Sequence, residues 1–220
     1  MSLIELGSSA GLQLIWDHYA YSYGDELVYG NCGSPVRLTS KVHSDHFPVL
    51  LESSPPIAAR IGLDLHINDL TNHADYLWLK ALIWPEHQER LLAFEQAAGQ
   101  LAENPVRLIE GDGVSMIGEA AEQVPADSLL CIFHTHVANQ MPASVKRKLE
   151  ERIQGIGRKR NVIHIYNNMW DSLLHVDAYI NGQETSQIIG RTDGHGHWFE
   201  WRLPAESTIS TKVPEDGTKQ

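Results

Sequence analysis

Cysteine is nearly missing from this 220-residue chain: Cys32 and Cys131 are its only two. One pair cannot form a disulfide framework, and Cys131 stands inside the apolar run SLLCIF, where a small buried thiol is its ordinary role. A reducing, cytoplasmic setting is the expectation. Long apolar runs are missing as well. No stretch approaches the roughly 18 uninterrupted apolar residues of a membrane-spanning helix, and the amino terminus has neither the basic nor the apolar region of a signal peptide. No membrane partner is therefore expected. Positive charge is scarce: 17 Lys and Arg stand against 28 Asp and Glu, a formal net charge of −11. That balance argues against a sequence-independent grip on nucleic acid, which needs phosphates neutralised by Lys and Arg. It favours a small-molecule or protein substrate. The one basic segment, KRKLEERIQGIGRKR (146–160), reads as a solvated helix face whose late Arg158, Lys159 and Arg160 suit the negative end of the helix dipole.

What remains is an ordinary globular composition, 42% hydrophobic and 20% charged, enough for one sizeable domain over residues 1–203. The polar stretch 204–220 has no hydrophobic period and is expected to be disordered. The chain opens on a short apolar strand (3–6), a small-residue turn and GLQLIWDHY, whose apolar residues recur at helical spacing. Residues 20–56 then break the pattern: aromatic and β-branched residues between Gly-Asp and Gly-Asn-Cys-Gly turn signals predict an inserted β-ribbon and loop. Beyond it, PIAARIGLDL, VRLIEGD, SLLCIFHT and NVIHIYN read as strands. They alternate with the helices ADYLWLKALIW, stopped by Pro85, PEHQERLLAFEQAAGQLAEN, VSMIGEAAEQV and PASVKRKLEERIQGI. Residues 173–203 look like two longer strands joined by a turn. Such alternation predicts a doubly wound, mostly parallel α/β sheet with one antiparallel edge, and a ligand beyond the carboxyl ends of its strands.

The turn Gly7-Ser8-Ser9-Ala10-Gly11 satisfies two motifs. As G-x-S-x-G it would be a nucleophile elbow with Ser9 as a hydrolase nucleophile, but an elbow needs earlier strands to supply its oxyanion loop. As E-x-G-x-x-x-G it would cradle a nucleotide, with Glu5 able to hold a ligand ammonium and Gly7 and Gly11 letting main chain approach. Two further strand-end acids suit that second reading. Asp64 is placed to accept a ribose diol and Asp112 to accept an exocyclic amine, since an ionised carboxylate accepts only.

This order of glycine turn, strand-end acids, apolar fourth strand and terminal hairpin resembles class I S-adenosylmethionine-dependent methyltransferases. More closely, the stretches ELGSSAGLQLIWDHY, SPVRL, IAARIGLDLHIND, WPEHQERL, FHTHVANQMP and HWFEW resemble a bacterial family, the domain of unknown function 2332 family. The resemblance implies a three-layer, Rossmann-like methyltransferase fold with a mostly parallel seven-stranded sheet, a C-terminal antiparallel hairpin and the inserted β-ribbon. It further implies S-adenosylmethionine as cofactor, bound through Glu5, Gly7, Ser8, Ser9, Gly11, Asp64 and Asp112. Ser9 departs from the pattern, since methyltransferases usually carry a third glycine there. Ile67 stands where the family tends to have proline, and Gln13 where it tends to have asparagine.

Twelve histidines raise the question of a metal. The pairs His43/His46, His134/His136 and His195/His197 come with no matching second pair nearby in sequence, and no metal is expected. His195 and His197 fit an exposed hairpin turn. His134, at the ligand edge of the fourth strand, is the candidate general base for methyl transfer, with His136 beside it; hydrogen bonding within the strand-end loop is the competing role for His134. Two other functions stay open: a catalytically silent binding module presenting the 20–56 insertion, and a serine hydrolase using Ser9.

Overall fold

The computed structural model describes residues 1–25, 27–50 and 53–203. The expectation for 204–220 lies outside them. Among the described residues, twelve strands and four α-helices run in the order β1 (Ser2–Leu6), β2 (Ala20–Ser22), β3 (Tyr29–Gly30), β4 (Arg37–Thr39), β5 (Lys41–Val42), β6 (Ala59–Asp64), α1 (His73–Ala81), α2 (Gln88–Glu103), β7 (Arg107–Glu110), α3 (Gly113–Glu122), β8 (Leu130–His134), α4 (Ala143–Gly157), β9 (Val162–Tyr166), β10 (Leu173–Ile180), β11 (Gln183–Thr192) and β12 (Trp198–Trp201). Two 3-10 segments, Leu12–His18 and Val137–Gln140, follow β1 and β8.

The large sheet has the order β5-β12-β11-β10-β9-β8-β1-β6-β7. Strands β7, β6, β1, β8 and β9 are mutually parallel. The alternation of apolar strands with helices predicts this five-strand block, and it is there. From β1 the chain winds outward through β6 to β7, then crosses back to β8 on the other side of β1. The winding therefore reverses between β1 and β8, where an open α/β sheet leaves a crevice.

The seven-stranded expectation is corrected to nine strands in a mixed sheet. The C-terminal segment folds as three strands rather than two: β10 runs antiparallel to β9, β11 to β10 and β12 to β11, and β5 from the insertion then pairs parallel with β12. The turn between β10 and β11 is Asn181-Gly182, both at positive φ (52° and 76°), as a two-residue hairpin turn with the right twist requires. The inserted ribbon is likewise divided. β2, β3 and β4 make a small separate sheet, and β5 leaves it for the large one.

Alternation along each strand sorts side chains to two faces. Ile4 and Leu6 of β1, Ile61 and Leu63 of β6, and Leu130 and Ile132 of β8 face α3 and α4, where Val114, Ile117, Leu149 and Ile153 close the main core. Leu3 and Cys131 face the other way, against Leu14, Trp16 and Phe133.

The segment after the first turn is a kinked 3-10 stretch with Ile15 at non-helical angles, not the regular helix its spacing predicts. Its carbonyls are taken by other donors. Tyr19 Oη donates to Leu12 O (2.7 Å), Arg60 Nη1 to Leu14 O (2.7 Å) and Tyr21 Oη to Trp16 O (2.6 Å). Those acceptors are diverted from an i→i+4 ladder.

Candidate functional site

The carboxyl ends of β1, β6 and β8 open into a cleft of about 610 Å³. Its walls are mainly apolar, from Leu6, Leu63, Leu65, Val114, Val137, Met141, Pro142 and Val145, and its polar groups come from Asp64, Asp112, Thr135, His136 and Gln140. Four of the residues singled out in the sequence, Gly7, Asp64, Asp112 and His136, meet on this one cleft.

Gly7 has φ 74°, the left-handed region that lets the chain leave β1 sharply. Its N–H donates to Leu63 O at 2.8 Å, fastening the turn to β6. Asp64 closes the same turn from the β6 side: its carboxylate accepts from Ser9 N at 2.7 Å and from His66 N at 3.1 Å. Two backbone bonds leave lone pairs on both carboxylate oxygens for a ligand. Asp112 caps α3, accepting from Val114 N at 3.1 Å, with its own residue on the cleft wall. It is a good N-cap because its side chain takes one of the helix's unpaired first N–H groups.

The other sequence candidates lie around the cleft and do not line it. Ser8 is buried and sits over Gly62, whose missing Cβ leaves room for its Oγ. Ser9, at φ 51°, receives the Asn68 side-chain N–H on its Oγ at 3.0 Å. Gly11, at φ 80°, abuts Val106 and Leu108 in the core. Glu5 is 3% exposed on β1, and its Oε2 has no hydrogen-bond partner among the described residues. Burial first, and the nearby Asp64 second, raise its carboxyl well above the ordinary carboxylate range. Ser8 Oγ and Asn68 Oδ1 are also buried without partners.

His134 and His136, two residues apart, have opposite settings. His134 ends β8 beneath α4 and is 1% exposed. Its ring lies 5.1 Å from that of His164 and 5.6 Å from that of Tyr166, and neither of its nitrogens has a hydrogen-bond partner among the described residues. Burial, then His164, hold its pKa down at about 3. It is a neutral imidazole sealed off from the cleft. His136 is exposed on the cleft wall at φ 59°. Its Nδ1 lies 3.3 Å from Asn168 Nδ2 and its Nε2 3.2 Å from Gly194 O. Those two partners fit the tautomer with the proton on Nε2.

Sequence reasoning missed the apolar wall from Val137 to Val145. It belongs to the segment after β8 and to α4, and nothing local signals that it faces Gly7. Val137 does so closely: a Cβ on Gly7 would sit 2.7 Å from Val137 Cβ. Among the described residues no group of three or more His, Cys, Asp or Glu side chains is arranged to hold a metal ion, and no helix is long and apolar enough to cross a membrane.

The family model described as "Uncharacterized protein conserved in bacteria (DUF2332)" matches residues 1–201. The chain belongs to this family. The match covers both the parallel block and the C-terminal meander of the DUF2332 chain. Among curated proteins and among solved structures, nothing matches it.

Proposed function

We propose that the cleft binds S-adenosylmethionine and that the protein transfers its methyl group to a small molecule or a protein side chain. One observation carries the reading: Gly7, Asp64 and Asp112, from three neighbouring strand ends, face one cleft at the point where the winding reverses. A volume of about 610 Å³ falls within the range of small-molecule sites. Apolar walls suit the faces of an adenine, and two acceptor-only carboxylates suit hydroxyl and amine donors. Bound there, S-adenosylmethionine supplies an electrophilic methyl group. On the protein's side, His136 is the imidazole that reaches the cleft. To take a proton from an acceptor, its Nδ1 would exchange the Asn168 N–H for the acceptor's own. His134, buried and absent from the cleft's lining, is not placed to take that proton.

A second reading, a catalytically silent interaction module, is favoured by the Val137 side chain, which stands over Gly7 where main chain would otherwise meet the ligand. Calorimetric titration with S-adenosylmethionine and S-adenosylhomocysteine tests both. Binding is expected in the wild type and should weaken at least tenfold in Asp112→Ser, whose hydroxyl keeps the helix cap but not the longer acceptor. No heat with either ligand at millimolar concentration overturns the proposal and selects the module. Binding without movement of a labelled methyl group onto any cell-extract component overturns the transfer step and keeps the cofactor site.

A further inference from the structure

The turn between β11 and β12, Asp193-Gly194-His195-Gly196-His197, is exposed along most of its length. Its main chain nevertheless reaches the cleft wall. Gly194 O lies 3.2 Å from His136 Nε2, a contact across 58 residues of sequence. A backbone carbonyl only accepts, so Nε2 is the ring nitrogen that carries the proton. Nδ1 is then an acceptor, and Asn168 Nδ2 donates to it at 3.3 Å. His136, at φ 59° and ψ −33°, and Asn168, at φ 54°, are two of the four non-glycine residues with positive φ among the described residues. Such backbone costs free energy and persists only where surrounding contacts fix it. The turn supplies those contacts. Asp193 N donates to Trp198 O and Gly196 N to Asp193 O, each at 3.0 Å, which closes the turn. One oxygen of the Asp193 carboxylate gathers it further: Oδ2 accepts from His195 N and His197 N, both at 3.1 Å, and from His197 Nδ1 at 2.8 Å. The His197 backbone N–H does most to hold that carboxyl below its ordinary range. Both ends of the turn are fastened to the sheet. Lys41 N of β5 donates to His197 O at 2.9 Å, and Asn167 Nδ2, just after β9, donates to Thr192 Oγ1 at 3.3 Å.

We propose that this turn is the positioning element of the cleft and that Asp193 is its positioning residue. Asp193 folds the turn, the turn presents the Gly194 carbonyl, and that carbonyl fixes the tautomer and orientation of the His136 ring. An imidazole that rotates freely spends most of its time where it can take no proton. One held at Nε2 keeps its Nδ1 lone pair in a single place. When Nδ1 takes a proton the ring becomes an imidazolium, and the Nε2–H bond to Gly194 O strengthens because its donor is now charged. The carbonyl therefore favours the ring's protonated form over its neutral one. This role rests on the reading of His136 as the base of the cleft; the grip of the turn on the ring does not.

Full-length wild type, Asp193→Ala and Asp193→Asn are compared. Asparagine keeps a side-chain oxygen that accepts from the turn's N–H groups, so Asp193→Asn should behave as wild type. In proton–nitrogen correlation spectra of the isotope-labelled chain at about pH 8, wild type should show a His136 Nε2–H signal protected from solvent exchange, identified by its loss in His136→Gln. Asp193→Ala should lose the signal with an unchanged circular dichroism spectrum. Calorimetric affinity for S-adenosylhomocysteine should be the same in all three, because Gly7, Asp64 and Asp112 are held by other bonds. Transfer of labelled methyl groups from S-adenosylmethionine onto cell-extract components should fall at least about tenfold in Asp193→Ala and recover in Asp193→Asn. A wild type without the protected signal overturns the proposal, and so does a signal or a transfer rate that Asp193→Ala leaves intact. A protected signal that Asp193→Ala abolishes, in a wild type that neither binds S-adenosylhomocysteine nor transfers methyl groups, overturns the reading of His136 as base and upholds the turn's grip on its ring.

Discussion

At the scale of single residues, the titratable groups buried within the sheet are those whose burial the chain could not announce. Glu5 and His134 read as strand residues near the ligand edge and NVIHIYN as a strand, and each side chain points where alternation puts it. Whether water reaches them depends on how the separate elements pack over the sheet, which no local pattern states. Burial makes them pH-sensitive in opposite directions. His134 has a folded pKa of about 3 against an ordinary 6.5, so between those values the unfolded chain binds a proton that the folded one refuses. The stability present above about pH 6.5 should fall as pH drops, with His134 alone accounting for on the order of 4 kcal/mol by about pH 3. Urea midpoints at about pH 7 and about pH 4 should therefore fall less in His134→Leu than in wild type, and parallel losses would rule this account out. Glu5 behaves conversely. Its folded pKa is raised by burial and by Asp64, so its contribution is present below the unfolded carboxyl range and lost as pH rises. Glu5→Gln should be more stable than wild type at about pH 8 by roughly 1 kcal/mol or more, with the advantage shrinking towards acid.

At the scale of elements, strands that carry their own signal were legible and strands that borrow one were not. β1, β6, β8 and β9 are apolar runs bounded by helices, and their periodicity places them. β5 and β12, two and four residues long, exist because each finds the other at the sheet edge, and no local pattern encodes that meeting. The turn after β1 shows the same division. Its glycines mark a place where the backbone needs positive φ or close approach, and Gly7 has the first. That Val137 would fill the position of a Gly7 Cβ is a contact across 130 residues of sequence. Gly7→Ala should accordingly cost about 2–3 kcal/mol, combining left-handed strain with the clash. Adding Val137→Ala should relieve the part of the clash made by the two methyl groups, not the part made by the Cβ at 2.7 Å, and none of the strain. A double-mutant cycle in thermal unfolding measures this, and strictly additive losses would show that the two residues do not meet.

At the scale of the whole molecule, net charge opposes compactness. The chain carries −11, so folding draws like charges together, while the two cores on the faces of the large sheet gain by leaving water. The apolar term depends little on moderate salt; the self-repulsion depends on it strongly. Raising sodium chloride from about 10 mM to about 0.15 M shortens the screening length from roughly 30 Å to roughly 8 Å. The thermal midpoint should therefore rise across that range, whereas a fold held chiefly by surface ion pairs would lose stability. Thermal unfolding followed by circular dichroism at the two salt concentrations separates the cases, because added salt can remove a repulsion but cannot strengthen an ion pair.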